Sequence, residues 1–192
     1  REINHDWGTN PCSEILLRPY EFCNLSEVVA RYNDTMETLK TKIEAATMLG
    51  TVQASLTDFR YLGAQWKKNC EEEALLGVSI TGIFDCPALL KASPQQLEKL
   101  RDHAVKTNEI FAKEIGINPS ASVTCVKPSG TVSQLVDSSS GIHPRHARYY
   151  IRRVRNDKKD PLSQKLIDNG IEYLEDPYNK DAWAFEFPMK AT

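Results

Sequence analysis

The sequence has 192 residues, a length usual for one domain or for part of a larger one. Hydrophobic residues make up 41% and charged residues 26%, which excludes a disordered, collagen-like or disulfide-dense secreted chain. Because 24 Lys and Arg stand against 26 Asp and Glu, the net charge of −2 gives no global field for nucleic acid or an anionic membrane. No apolar run reaches the ~18 residues of a membrane span and no signal peptide is evident, so we predict a globular protein of the cytoplasm.

The two ends of the sequence predict a segment of a longer protein. The sequence begins at Arg1 rather than at Met, and it ends in the apolar stretch FEFPMKAT, which is typical of a strand cut off in mid-sheet. The 5 cysteines are widely spaced, without a CxxC pair or a zinc-binding spacing. We therefore expect reduced thiols, no metal site and a sheet completed by residues outside this segment.

The first half of the sequence predicts extended segments followed by helix and strand. Residues 15–17 and 22–26 read as extended, and residues 18–20 interrupt them, which predicts a hairpin or loop with Cys12 near one end. Asp34 or Thr35 can cap a long helix reaching about Arg60. Its apolar positions at helical spacing are Met36, Leu39, Ile43, Ala46, Leu49, Val52, Leu56 and Phe59.

The elements that follow alternate between helix and strand. Residues 66–73 predict a short helix, 75–83 a buried strand, 93–116 a helix from Ser93 to a Gly116 stop, and 122–127 a strand that runs into a turn. The last third predicts a strand at 149–154, a short helix at 161–167 and a strand at 183–187. This order predicts an α/β fold with parallel strands and functional groups at their C-terminal ends.

Two patterns around cysteines could carry chemistry. In an extended loop, Asn10, Cys12 and Glu14 would share one face, bringing together an amide, a thiol and a carboxylate. Cys23 follows Cys12 by eleven residues, on the returning half of the predicted hairpin, so both sulfurs could lie in one cavity. The alternative for both cysteines is a small buried hydrophobic residue, the usual place of a free cysteine.

The third pattern is the turn KPSGTVS at residues 127–133, between a strand and a helix. Backbone N–H groups at such a helix start can bind a phosphate. The sequence lacks the full GxxxxGK[ST] loop, so this is no Walker motif. An ordinary helix cap is the alternative interpretation.

Two stretches carry a resemblance to a known family. NPCSEILLRPYEFCNLSE and VKPSGTVSQLVDSSSGIHPRHARYYIRRVR resemble the large catalytic chain of ribonucleotide reductase, in particular the adenosylcobalamin-dependent class II enzymes. The resemblance implies part of a ten-stranded α/β barrel with an internal finger loop. It divides the single segment 1–192 into the finger loop and return strand at 1–34 and half of the barrel at 35–192. The activity that it implies is radical reduction of ribonucleotides, with triphosphates favoured, to 2′-deoxyribonucleotides for DNA synthesis.

The resemblance also implies roles for residues. Cys12 becomes a thiyl radical that abstracts the 3′ hydrogen of the ribose, Glu14 is the general base on the 3′-hydroxyl, and Asn10 hydrogen-bonds the sugar. Cys23 is one member of a redox disulfide whose partner lies outside this chain. The substrate phosphates are bound by a loop made of Pro128, Ser129, Gly130, Thr131, Val132 and Ser133.

Partners follow from the same resemblance. They are the ribonucleotide substrate, a thioredoxin-like or dithiol reductant, adenosylcobalamin and the rest of the catalytic barrel, with neither membrane nor nucleic acid expected. Cys70, Cys86 and Cys125 match no catalytic position of the family and are expected in the core.

A nucleic-acid-binding module is the alternative function, because residues 145–159 combine basic and aromatic side chains. Strand alternation would split these charges across two faces, so a solvated or interdomain salt-bridged strand is the favoured interpretation. His143 and His146 are expected at the surface or hydrogen-bonded, since no third metal ligand is obvious.

Overall fold

The structure, a computed structural model, describes residues 4–191 of the chain. It divides into two compact units, with the boundary between Pro144 and Arg145. Among the described residues, no helix is long and apolar enough to cross a membrane. The predicted division into 1–34 and 35–192 concerns the complete barrel and stays a prediction.

The first unit contains four short or medium strands and five helices among its described residues, together with a single 3₁₀ turn at Ile83–Asp85. In chain order the elements are β1 (Gly8–Thr9), β2 (Leu16–Leu17), β3 (Asn24–Val29), α1 (Met36–Ala54), α2 (Ala64–Glu73), β4 (Leu76–Thr81), α3 (Pro87–Leu90), α4 (Pro94–Ile115) and α5 (Thr131–Leu135).

The unit begins with a small hairpin in which β1 pairs antiparallel with β2. The predicted hairpin between residues 15–17 and 22–26 is wrong, because the second of these segments enters β3, which pairs elsewhere. Reciprocal bonds close the true hairpin: the Asn10 N–H donates to the Ile15 carbonyl at 3.2 Å, and the Ile15 N–H donates to Asn10 Oδ1 at 3.1 Å. Cys12 therefore lies in the turn between the two strands.

The centre of the unit is a parallel pair of strands. β3 runs alongside β4 with Asn24 opposite Leu76 and Val29 opposite Thr81. The strand predicted at 122–127 is present only as an isolated parallel bridge between Val78 and Thr124. The prediction of parallel strands in an α/β fold is thus confirmed, while the ten-stranded barrel is not shown by this segment.

The helices cover one face of this sheet. α1 packs against α4, β3 and β4, and the two long helices form a common core with the strands. The N-terminus of α1 is a capping box in which the Thr35 hydroxyl accepts from the Thr38 N–H. The core includes Val28, Leu39, Ile43, Leu76, Val78, Leu100 and Ala104.

The predicted end of α1 at Arg60 is wrong. The helix ends at Ala54, and Leu56 beyond it is 69% exposed. The buried face of α1 includes Thr47 and Thr51 and leaves out Leu49. The hydroxyls of both threonines donate to backbone carbonyls one turn earlier in the helix. The helix predicted from Ser93 to Gly116 is confirmed, with Ser93 as N-cap and Gly116 at φ 76°.

The second unit is a three-stranded antiparallel sheet with one helix. Its elements are β5 (Tyr149–Asp157), α6 (Pro161–Asp168), β6 (Tyr173–Glu175) and β7 (Ala182–Lys190). β7 is the central strand, with Arg153 of β5 opposite Glu186. The predicted strands at 149–154 and 183–187 and the helix at 161–167 are confirmed.

Candidate active site

The turn of the N-terminal hairpin places three predicted site residues close together in the chain. Cys12 is exposed, which rules out its interpretation as a small buried hydrophobic residue. The extended geometry predicted for this loop is wrong, because residues 11–14 form a turn in which Ser13 has a φ of 63°. The Asn10 side-chain carbonyl closes that turn, so its amide NH₂ is the group left to bind a ligand.

One carboxylate oxygen of Glu14 lies in an unusual environment. Its Oε2 atom is buried and accepts no hydrogen bond from the residues that the structure describes. A buried carboxylate oxygen without a donor costs free energy, so such an atom is typical of a functional site.

The carboxylate of Glu14 also contributes to the raised pKa values of two thiols. Burial raises the pKa of Cys23, and the negative charge of Glu14 raises it further. The same two causes, in the same order, raise the pKa of Cys125 to about 12. Both thiols therefore hold their proton near neutral pH.

Gly77 of β4 makes room for this arrangement. A Cβ atom there would lie 3.0 Å from Cys125 Sγ, 3.0 Å from Ile15 Cδ1 and 2.5 Å from Leu25 Cδ2. The hairpin, β3 and the segment after Val123 thus converge on a single glycine of β4. Any side chain at position 77 would push at least one of them away.

Cys125 was expected in the core, and this expectation is wrong in part. Cys70 and Cys86 are buried as predicted, whereas Cys125 is only half-buried and faces the hairpin over Gly77. Sequence reasoning missed it because the irregular segment 122–127 gives no alternation from which to read a face.

The predicted phosphate loop has an exposed part and a buried part. Gly130, Thr131 and Val132 are exposed, and the space beside Gly130 is open to 4 Å. Ser129 and Ser133 are fully buried. The Ser133 hydroxyl donates to the Gly130 carbonyl at 2.7 Å, so it is already engaged within the turn.

The loop at residues 139–141 holds this turn in place through hydrogen bonds. The Ser140 hydroxyl donates to the Ser129 carbonyl. Thr81, at the end of β4, donates to the Ser139 carbonyl at 3.0 Å and accepts from the Gly141 N–H at 2.8 Å. The C-terminal end of a parallel strand thus fixes the phosphate turn, as the α/β pattern predicts.

The basic segment at 145–159 is held by ion pairs within the second unit. Arg153 Nε lies 2.7 Å from Glu186, Arg155 contacts Asp176, and Lys158 Nζ lies 3.1 Å from Glu175. Lys158 also lies 4.0 Å from the ring centroid of Trp183. The strand is salt-bridged as predicted, but these ion pairs lie within its own unit and are not the interdomain pairs of the prediction. Across residues 4–191, no three His, Cys, Asp or Glu side chains form a group that could bind a metal ion.

Comparison with known proteins finds relatives of this chain. No family model matches the chain. It is 31% identical over 214 residues to an adenosylcobalamin-dependent ribonucleoside-triphosphate reductase of Levilactobacillus brevis, and 31% identical to that of Lactobacillus acidophilus. The enzyme of the same name from Lactobacillus leichmannii is 30% identical. Each alignment covers 96% of this chain and 28% of the relative, so the chain spans less than a third of their length.

A solved structure agrees with the sequence relatives. The crystal structure of a B-12 dependent class II ribonucleotide reductase matches with a TM-score of 0.73 and 28% identity, over 96% of this chain and 29% of that one. The chain is therefore a homologue of a segment of ribonucleotide reductase. Within that family its relatives are the adenosylcobalamin-dependent ribonucleoside-triphosphate reductases.

Proposed function

We propose that this segment supplies the finger loop and the phosphate loop of a class II ribonucleotide reductase, which converts ribonucleoside triphosphates to 2′-deoxyribonucleotides for DNA synthesis. The observation that carries the proposal is the hairpin turn, with the exposed thiol of Cys12 two residues before Glu14, whose buried Oε2 accepts no hydrogen bond from the part of the chain that the structure describes. The names and structure of the relatives support the same reaction.

The geometry suits the roles that the family assigns. Cys12, as a thiyl radical, abstracts the 3′ hydrogen of the ribose. Glu14 accepts the proton of the 3′-hydroxyl at Oε2, which no donor among the described residues occupies. The NH₂ group of Asn10 donates to the sugar while its carbonyl keeps the turn closed.

Cys23 is the redox thiol in this proposal. Its raised pKa keeps it as S–H, the form that can deliver both a proton and an electron. After turnover it is joined in a disulfide to a cysteine outside this chain, and a thioredoxin-like or dithiol reductant restores both thiols. Reduction of the ribose by two electrons thereby balances oxidation of two thiols.

The phosphates bind at the exposed part of residues 128–133. The start of α5 is accessible, because Gly130 and Thr131 are exposed and nothing lies within 4 Å of the place where a Cβ atom of Gly130 would be. Backbone N–H groups with a free approach are suited to an anion. The buried hydroxyls of Ser129 and Ser133 hold the loop in shape instead.

Adenosylcobalamin is part of the proposal because the relatives are named for it. When bound, this cofactor supplies radical chemistry. The thiol of Cys12 fits an external radical source, since it is exposed at the tip of a hairpin instead of being enclosed. We assign no residue of this segment to holding the cofactor.

The test uses the full-length protein with adenosylcobalamin, a dithiol and each ribonucleoside triphosphate. We expect deoxynucleotide formation that depends on both cofactor and dithiol. Replacing Arg152 and Arg155 by Gln should leave the nucleotide KM within about twofold, because their strand is structural. Absence of product, together with single-stranded DNA binding that is lost in the arginine variant, would favour the nucleic-acid-binding module instead.

A further inference from the structure

β3 carries a second carboxylate, Glu27, four residues after Cys23. Its side chain is half-buried and lies next to the phosphate loop. The Ser129 hydroxyl donates to Glu27 Oε2 at 2.8 Å, and the Ser79 hydroxyl approaches Oε1 at 3.4 Å. Glu27 and Ser79 are register partners in the parallel pair, so the backbone itself fixes their proximity.

Both serines are enclosed. Ser79 is 2% exposed and Ser129 is 0% exposed, so neither hydroxyl can turn to water instead. Of the two hydrogen bonds to Glu27, the one from Ser129 is the stronger, because a hydroxyl donating to a carboxylate at 2.8 Å forms a charge-assisted hydrogen bond. Ser129 is therefore held at two atoms, its hydroxyl by Glu27 and its carbonyl by Ser140.

This arrangement changes what Ser129 can do. A hydroxyl that donates to Glu27 has no second proton for a phosphate. The residue after it, Gly130, is where the chain becomes exposed and α5 begins. Fixing Ser129 thus fixes the residue from which the exposed backbone of the loop continues.

We propose that Glu27 is a positioning residue for nucleotide binding, which acts by holding Ser129 so that the N–H groups after Gly130 point at the substrate phosphates. The inference rests on the proposed function of the 128–133 loop. It also gives β3 two tasks, since the redox thiol Cys23 precedes the strand directly and Glu27 lies within it. The distance between the reducing thiol and the bound phosphate is then set by one rigid element.

The experiment compares Glu27→Ala, Glu27→Gln and Ser129→Ala in the full-length protein, with Glu98→Ala, an exposed position of α4, as control. CTP is the probe, with its Kd, its KM and kcat measured separately. We expect Glu27→Ala to raise Kd and KM about tenfold with kcat changed less than about threefold. Glu27→Gln should stay within about threefold of wild type, because its amide oxygen still accepts from Ser129.

A double variant separates this role from general destabilisation. If the two residues act through their shared hydrogen bond, Ser129→Ala in the Glu27→Ala background should raise Kd by less than about twofold more. If Glu27→Ala does not fold, Ser129→Ala removes the same bond from the other side and takes its place in the comparison.

Three results would overturn the inference. They are wild-type CTP affinity in Glu27→Ala or its replacement Ser129→Ala, a loss in Glu27→Gln as large as that in Glu27→Ala, and full additivity in the double variant. The proposed function fails separately, if wild-type protein neither binds nor reduces CTP.

Discussion

The carboxylate of Glu14 links the hairpin turn electrostatically to the thiol of Cys23. It contributes to the raised pKa values of Cys23 and Cys125, after burial, which is the larger cause for both. Protonated thiols are poor nucleophiles but competent hydrogen donors. In the proposed reaction, the raised pKa values of these thiols therefore favour reduction through S–H groups over attack by a thiolate.

Replacing Glu14 by Gln should lower the pKa of Cys23 toward its ordinary value, because a negative charge that disfavours the thiolate is removed. The measurement is the rate of iodoacetamide alkylation of Cys23 against pH, by peptide mass spectrometry, in a Cys12→Ser background. We expect the midpoint to move to lower pH in Glu14→Gln, with Glu37→Gln as the matched control. An unchanged midpoint would show that Glu14 does not act on this thiol.

Glu21 lies in a second group of charges, just after the hairpin. The Arg18 N–H donates to Glu21 Oε2 at 2.8 Å, and Arg18 Nε lies 3.4 Å from Glu73. Burial raises the pKa of Glu21 to about 7, and a hydrogen bond and charge repulsion from Glu73 act in the same direction. The Glu21 carboxyl group therefore keeps its proton up to near neutral pH.

This raised pKa predicts a loss of stability with rising pH. A carboxyl group that binds its proton more tightly when folded stabilises the fold fully below its unfolded pKa, near 4.5, and this contribution is lost as pH rises through about 7. In the full-length protein, Glu21→Gln should therefore raise Tm relative to wild type more at pH 8 than at pH 5. Equal shifts at both pH values would contradict the assignment, and Glu37→Gln serves as control.

At the scale of elements, local signals predicted α4 fully and α1 only in part. Ser93 and Pro94 mark the start of α4, and Gly116 ends it because glycine readily adopts the φ of 76° found there. For α1, the apolar spacing continues to Phe59, but that ring leaves the helical path to pack 5.3 Å from Phe22. Phe22 in turn stacks on Trp66 at 4.6 Å. A tertiary aromatic cluster therefore decides where α1 ends, and no local pattern contains it.

The hairpin was misassigned for a related reason. Each of its strands has two residues, too few for alternation to be read, and its closure depends on the side chain of Asn10. The site residues in it were found through the family resemblance, since spacing alone also allowed two core cysteines. The link from Glu27 to Ser129 joins residues 102 positions apart, beyond the reach of any sequence pattern.

The phosphate turn gives a prediction at this scale. Gly130→Val should raise the nucleotide KM more than Thr131→Ala does, because a β-branched side chain would fill the open approach beside the N–H groups. Loss of the single Thr131 hydroxyl should cost on the order of 0.5–1.5 kcal/mol, about 2–13-fold in affinity. Steady-state kinetics of the full-length variants provide the measurement. A larger effect from Thr131→Ala would mean that side chains, and not the backbone, bind the phosphate.

At the scale of the whole molecule, the first unit gathers the proposed functional parts on one small sheet. The N-terminal hairpin packs over Gly77 of β4, Cys23 precedes β3, and the proposed phosphate turn is held by Glu27 directly and by Thr81 through the loop at 139–141. The α/β class and the parallel strands followed from the order of elements in the sequence. The ten-stranded barrel stays a prediction from the family resemblance, because the described residues form only a parallel pair of strands, a short hairpin and a three-stranded antiparallel sheet.

The most direct test of the account is Cys12→Ser in the full-length protein, assayed with adenosylcobalamin, CTP and a dithiol. Oxygen cannot replace sulfur as the radical carrier, and Cys12 is exposed, so the variant should fold normally, bind CTP like wild type and form no deoxynucleotide. A thermal melt and a Kd for CTP check the first two points. Deoxynucleotide formation within tenfold of the wild-type rate would contradict the assignment of Cys12 and, with it, the proposed role of the finger loop.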